Sequence, residues 1–308
     1  MTPRVPIPSM NHVVIGTLAF DAIETPYDKR DRLVGGSATH FAHAASKFGP
    51  VGLVGVVGDD FPADALADFQ ARGIDTAGVE HASGKSFFWA CRYEADWNTR
   101  HTVDTQLNVF ADFDPKVPDE YKGAEFVFLA NAQPKIQLKA LEQMTRPRLI
   151  VADTMNLWIE NDREDLGKLL RSIHGLVLND EEARMLTGER NMIRAAAAIL
   201  ELGPEFVVLK KGEHGAFWIG KDARFALPAY PVEDVVDPTG AGDSFAGGFM
   251  GYLSHTESLT PSSVRAAMLY GTVTASYCVE GFGFEGLASH GRSSVDRRFD
   301  ELRSFVTP

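Results

Sequence analysis

Residues 237–249 of this 308-residue chain read Asp-Pro-Thr-Gly-Ala-Gly-Asp-Ser-Phe-Ala-Gly-Gly-Phe. Gly240, Ala241 and Gly242 carry almost no side chain, so three backbone N–H groups are left uncovered. An apolar helical pattern begins here (Ala241, Phe245, Phe249, Tyr252), which places those amides at a helix N-terminus. Unpaired N–H groups and the helix dipole both favour negative charge at such a point. Asp243 then adds a carboxylate in the first turn, beside any anion that docks. An anion cradle next to a base is what phosphoryl transfer to a hydroxyl requires.

Other segments offer partners for that chemistry. Gly35-Gly36-Ser37-Ala38-Thr39-His40 opens a second helix, where a double glycine either admits a ligand to the backbone or makes a tight turn capped by Ser37. Asp21 follows the first apolar run and can accept from two hydroxyls at once. Asn131 follows the run Phe126–Leu129, at the carboxyl edge of a sheet, where open α/β folds bind ligands. Asn179-Asp180-Glu181-Glu182 reads as a helix N-cap with acids in the first turn. Lys210-Lys211-Gly212-Glu213-His214-Gly215 follows another strand, and either lysine can neutralise phosphate.

The string from Asp237 to Gly248 resembles the C-terminal signature of the ribokinase-like (PfkB) carbohydrate kinase family at every position. Gly35–His40, with its spacing to Gly49 and Gly58, is similar to the N-terminal signature of the same family. The resemblance implies that Asp243 is the base, with the amides of Gly240, Ala241 and Gly242 as the anion hole. It implies that Asp21, Gly35, Gly36 and Ser37 hold substrate hydroxyls; Asn131 is a further candidate contact by its place at the sheet edge alone. His40 stands where the family has Asn, which leaves the acceptor's identity open. Asn179 and Glu182 match an Asn-x-x-Glu element near Mg²⁺ and the ATP phosphates, and Lys210, Gly212 and Gly215 match a nucleotide-side turn. Asp237 and Thr239, with the backbone carbonyls of Cys278, Gly281 and Gly283, match a site for a monovalent cation, K⁺.

These residues need a scaffold, and the rest of the chain reads as one. Apolar runs at Val13–Leu18, Leu53–Val57, Phe126–Leu129, Leu149–Val151, Leu176–Leu178 and Phe206–Leu209 alternate with helical patterns. The rhythm predicts an α/β fold: a mainly parallel central sheet covered by helices on both faces, ribokinase-like in the light of the resemblance. Residues 19–34 and 86–110 break it with extended, polar or aromatic stretches. They predict a small β-sheet lid on a single domain spanning 1–308.

Composition narrows the partners. A net charge of −12 argues against nucleic acid and against anionic membrane. Two cysteines supply neither a disulfide framework nor metal spacing, which suits the cytoplasm, and no apolar run is long enough to span a bilayer. Gly78 and Gly84-Lys85-Ser86 miss the phosphate-loop spacing by one residue. The lid's strand edges predict pairing of two copies, a homodimer.

The expected activity is therefore phosphorylation of a hydroxyl, a hydroxymethyl group of a small sugar, by ATP with Mg²⁺. A nucleoside is the alternative acceptor, with Phe87, Phe88, Trp89, Trp97 or His40 forming a slot for the base. A phosphosugar would need Arg92, Arg100 or His101 from the lid. A binder that keeps the fold without catalysis is the remote alternative.

Overall fold

The computed structural model describes residues 10–306, so residues 1–9 and 307–308 of the expected domain lie outside the described residues. In chain order the strands are β1 (His12–Ile15), β2 (Ala19–Glu24), β3 (Lys29–Gly35), β4 (Val51–Val57), β5 (Ile74–His81), β6 (Phe87–Tyr93), β7 (Arg100–Gln106), β8 (Phe126–Leu129), β9 (Leu149–Asp153), β10 (Gly175–Asn179), β11 (Phe206–Lys210), β12 (Ala216–Gly220) and β13 (Arg224–Leu227). The helices are α1 (Ser37–Ala45), α2 (Ala63–Ala71), α3 (Pro134–Leu141), α4 (Asn156–Asn161), α5 (Arg163–Leu170), α6 (Asp180–Thr187), α7 (Met192–Glu201), α8 (Ala241–Thr256), α9 (Pro261–Cys278), α10 (Glu285–Ala288) and α11 (Arg292–Val306).

Nine strands form one sheet in the order β13-β12-β11-β10-β9-β8-β1-β4-β5. Every pairing from β11 to β5 is parallel. Continuous Val/Ile/Leu runs make this possible, because both faces must be dry. Val13 and Ile15 pack into one core with α3, α5, α6 and α7 residues such as Ile136, Leu169, Leu186 and Ile199. Val14 points into the other, among Phe41 of α1, Phe69 of α2, Phe249 of α8 and Met268 of α9. Among the described residues no helix is long and apolar enough to cross a membrane.

Several elements differ from the sequence reading. The run Val13–Leu18 is not one strand: β1 stops at Ile15 and the chain enters the lid at Ala19. Gly16 makes the exit possible, since a side chain there would meet Ala130 Cβ at 2.7 Å. Asp21 consequently sits within β2 of the lid. Strand β5 and the antiparallel pair β12–β13 extend the sheet beyond the six strands read, and α4, α10 and α11 were not read as helices.

The smaller sheet has the order β3-β2-β6-β7 and stands apart from the large one. Ile23, Cys91 and Tyr93 on its inner side meet Phe282 in a core of their own, and Leu33 packs against them. Strand β7 is exposed along its whole length.

Candidate active site

Strand order reverses between β1 and β8: the chain leaves β1 toward β4 on one side and leaves β8 toward β9 on the other. The crevice beyond the carboxyl ends of strands at such a reversal is where open α/β sheets bind ligands. Thr17 after β1, Asn131 after β8, Asp153 at the end of β9, Asn179 at the end of β10 and Lys210 at the end of β11 all line one cavity of about 590 Å³ there. The lid closes it from above with Asp21, Phe87, Trp89, Tyr93, Trp97 and Arg100.

Helix α8 aims its N-terminus into this cavity. Gly240 is its N-cap at φ +75°, a left-handed conformation that glycine adopts without strain. A Cβ at Gly240 would also run into the His40 ring, so the residue must be glycine on two counts. The turn before the helix uses one of the amides read as bare: Ala241 N–H donates to the Pro238 carbonyl at 3.2 Å. The amides without a partner among the described residues are therefore those of Gly240, Gly242 and Asp243, a correction to the Gly240–Ala241–Gly242 triplet. Lys210 Nζ lies beside them, 2.7 Å from where a Gly242 Cβ would be.

Asp243 is half-buried in the first turn of α8, in company with Asp153, Glu182 and Asp21. Burial and those neighbouring carboxyls push its pKa up to about 8, against the pull of Lys210. Glu182 is pushed up to about 7 by burial and then by Asp153. Asp153 is raised by burial although Lys210 stands 3.5 Å away. Lys210 is held charged, its pKa raised because Asp153, Glu182 and Asp243 outweigh its own burial. Three carboxyls around one lysine, with Asp21 beside Asp243, form a site that is short of positive charge. Among the described residues no three acidic, His or Cys side chains converge to hold a metal ion by themselves, so a hard cation here would need phosphate oxygens as further ligands.

Around this centre the structure places the other candidates. Asp21 is 5% exposed, and its pKa is pushed to about 7, first by burial and then by Asp237, against a hydrogen bond from the Gly36 amide. Gly35 packs against that carboxylate, and Gly36, at φ +101°, caps α1. Ser37 does not reach into the cavity as a free hydroxyl. It exchanges a 2.9 Å bond with Thr17 Oγ1, and donates to the Asn131 carbonyl at 3.1 Å, tying three segments together. Asn131 is spent likewise: Trp158 Nε1 donates to its Oδ1 at 2.9 Å and its Nδ2 faces Met155 Sδ. His40 lines the cavity between Gly240 and the Phe284 ring, neutral because burial lowers its pKa to about 4.

Asn179 and Glu182 form a reciprocal capping box, each accepting the other's backbone N–H at 2.8 Å. The cap uses Glu182 Oε2, and the Glu182 side chain still lines the cavity. Gly212 and Gly215 shape the turn after β11 at φ +53° and +84°, with Lys211 lying over the Phe217 ring.

Below α8, Asp237 is fully buried and takes N–H bonds from Thr239 (2.8 Å) and Gly283 (3.5 Å). Burial raises its pKa to about 6, and no cationic side chain pairs with it among the described residues. Cys278 Sγ donates to the Thr239 carbonyl at 3.4 Å. Asp237 and Thr239 thus meet Cys278 and Gly283, but through a thiol and an amide rather than through the carbonyls expected of them, and a Cβ at Gly281 would meet Gly286 and Glu285.

A second cavity of about 490 Å³ opens on the far side of the Gly240–Gly242 turn. Its walls are mostly apolar: Ala229, Pro231, Val232, Val235, Ala275 and Val279. Lys210, Gly212, Pro238, Ala241 and Gly242 line both cavities, so the anion cradle is their shared wall.

Residues 11–286 match the family described as pfkB family carbohydrate kinase. The chain belongs to the pfkB family of carbohydrate kinases. Its kin include the cytidine kinase of Thermococcus kodakarensis, 32% identical over 243 residues that cover 77% of this chain and 86% of that protein. An uncharacterized sugar kinase of Archaeoglobus fulgidus is 29% identical over 244 residues, covering 76% and 93%. The fold is also that of a Burkholderia thailandensis nucleoside kinase solved with inosine, with TM-score 0.76 at 19% identity over 94% of this chain and 97% of that one.

Within this pfkB kinase the sequence reading missed Thr17, Asp153 and the wall made by Met155, Leu157 and Trp158. Asp153 carried the same signal that pointed to Asn131, a polar residue ending an apolar run. The wall carried none, because its helix α4 is only six residues long. Phe88, offered for a base slot, faces the core instead. Of the lid cations only Arg100 lines the cavity; His101 pairs with Glu94 at 2.7 Å.

Proposed function

We propose that this pfkB kinase transfers the γ-phosphoryl group of ATP to the hydroxymethyl group of a nucleoside. One observation carries the choice of acceptor. The lining of the first cavity includes Phe87 and Leu107 from the smaller sheet and the segment after it, and Met155, Leu157 and Trp158 from the segment after β9. A free pentose is polar all round and would leave these walls facing water, whereas a nucleobase fills a slot of that kind. The likeness to a cytidine kinase supports the same reading. A free sugar is the second reading, favoured by the polar end of the cavity at Asp21, Thr17 and His40.

Asp243 takes the hydroxyl proton as the nucleophile forms. The free amides of Gly240, Gly242 and Asp243, with Lys210, meet the charge on the transferred group. A base whose pKa lies near the working pH is matched to this proton transfer. Asp153 and Glu182 are the residues to hold Mg²⁺, which when bound neutralises phosphate charge. Asp237, buried without a cationic partner, is the carboxylate for K⁺ with Thr239. The apolar second cavity takes the base of the nucleotide. The exposed edge strand β7 supports pairing of two copies through the lid, and the buried, unpaired Cys91 and Cys278 support a cytoplasmic setting.

The test is ADP release from Mg·ATP in KCl against cytidine, other nucleosides, pentoses, hexoses and polyols. Turnover with nucleosides well above that with pentoses is expected. The reverse order would give the site to a free sugar, and no turnover with any acceptor would sink the kinase assignment of the cleft.

A further inference from the structure

The lid reaches farther than the acceptor. Its β6–β7 hairpin ends in Asp96-Trp97-Asn98, and this tip lines not only the acceptor cavity but, with all three residues, the apolar second cavity as well. Asn98 Nδ2 donates to Glu213 Oε1 at 3.2 Å, across the cleft from the large sheet's Gly212–His214 turn. A Cβ at Gly212 would stand 2.7 Å from Asn98 Oδ1, so the tip lies directly on that turn. The tip is rigidly built: Asp96 Oδ1 accepts from the amides of Asn98 (3.1 Å) and Thr99 (2.8 Å), and Trp97 N–H donates to the Glu94 carbonyl at 3.0 Å. Trp97 holds φ +59°, a conformation unfavourable for a bulky residue; it lines both cavities, and its ring centroid lies 5.8 Å from that of Tyr27.

We propose that the lid tip is part of the donor-nucleotide site: Asn98 and Glu213 clasp the lid onto the nucleotide-side turn, and Trp97 walls the nucleotide there. This rests on the reading of the second cavity as the donor pocket. It adds that the closed lid and the bound nucleotide stabilise one another, so the element that covers the acceptor also sets donor affinity. Trp97 and Asn98 line both cavities, so one hairpin links the two substrates.

The experiment is titration of the full chain with Mg·ADP, by calorimetry and by tryptophan emission, with circular dichroism to confirm folding of each variant. Asn98→Ala and Glu213→Ala should each weaken Mg·ADP binding by about 3- to 10-fold, the effect of one lost hydrogen bond to a charged group. The double variant should bind no more weakly than the poorer single one, since one contact is removed in each. Trp97→Phe should diminish the change in emission that Mg·ADP produces in the parent, with Trp89, Trp158 and Trp218 left in place. Unchanged affinity in both single variants, losses that multiply in the double variant, or an emission change undiminished by Trp97→Phe would overturn the proposal. A parent that binds no Mg·ADP at all would remove the donor pocket itself, an outcome distinct from a parent that binds while its lid variants bind equally well.

Discussion

Asp243→Asn separates a catalytic carboxylate from a helix cap. The substitution keeps size and shape, and leaves the three free amides of the α8 N-terminus in place. It removes one of three carboxyls gathered around Lys210, and so relieves repulsion rather than creating a buried unpaired charge. Burial and neighbouring acids raise the pKa of Asp243 to about 8. The parent is therefore stabilised by the neutral form at low pH, and that contribution is lost as pH rises through 8. At pH 8.5 the Asn variant should melt no lower than the parent. Mg·ADP should bind it as tightly or more tightly, since negative charge beside the phosphates has gone. Only turnover should suffer: losing the base costs about 10²–10⁴-fold, equivalent to ~2.7–5.5 kcal/mol in the barrier. The assay is acceptor-dependent ADP release with the best acceptor of the panel, beside thermal melting and Mg·ADP titration. A loss below about tenfold would refute Asp243 as the base. A large loss with an equal loss of affinity or of melting temperature would make it a structural cap.

Gly240→Ala forces a left-handed backbone on a residue with a side chain and drives that side chain into His40, so it should cost about 1–3 kcal/mol in stability and about 10²-fold in turnover, by melting and ADP release. Gly123→Ala, where nothing lies within 4 Å of the added Cβ, should be silent in both assays. Asp237→Asn should remove any stimulation of turnover by KCl over NaCl, because it takes away the buried carboxylate that a cation would neutralise; stimulation retained in full would clear Asp237 of that role. Asp21, with an ordinary pKa of 3.8 and about 7 when folded, favours the folded state while protonated and loses that contribution as pH rises toward 7. The stability of Asp21→Asn relative to the parent, by denaturant unfolding without ligand, should accordingly rise between pH 4 and 7 by up to ~1.4 kcal/mol per pH unit; a flat difference would show that Asp21 stays ionised.

The parallel sheet was readable because buried strands in α/β proteins are written as unbroken apolar runs, and Phe126–Leu129 coincides with its strand to the residue. Strands β12 and β13 were not, since a half-exposed antiparallel edge such as Arg224–Leu227 carries only a short alternating pattern. Asp21, Asp243, Asn179, Glu182 and Lys210 could be nominated from position and type. Their state could not, because the pKa of Asp243 depends on Asp153, Lys210 and Asp21, which come from three distant parts of the chain. Ser37 and Asn131 show the same limit in another form. Both lie at the cavity, yet their polar atoms are committed to Thr17, Trp158 and Met155, and only the folded chain reveals that they position the walls. The bareness of an amide is equally non-local: the Pro238 carbonyl that occupies Ala241 N–H is a property of the turn, not of the small residues.

The charge balance of the cleft explains why its parts are arranged around glycines instead of cations. A chain of net charge −12 with four carboxyls at its centre is a poor trap for a polyphosphate. More arginines would bind nucleotide in its ground state but would also hold Asp243 fully ionised and paired, far from the pKa that suits proton transfer. Backbone amides avoid that conflict. They offer partial positive charge in a fixed direction without a titrating group, and act over one turn of α8. Lys210 adds a single full charge and is itself held in place by Asp153 at 3.5 Å. The remaining deficit makes phosphate binding depend on a cation that arrives with the nucleotide. On the proposed assignment of Asp243 as base, an acid-rich cleft with an amide cradle would favour the metal complex of a nucleotide over the free polyanion, and would keep the base poised until that complex is in place.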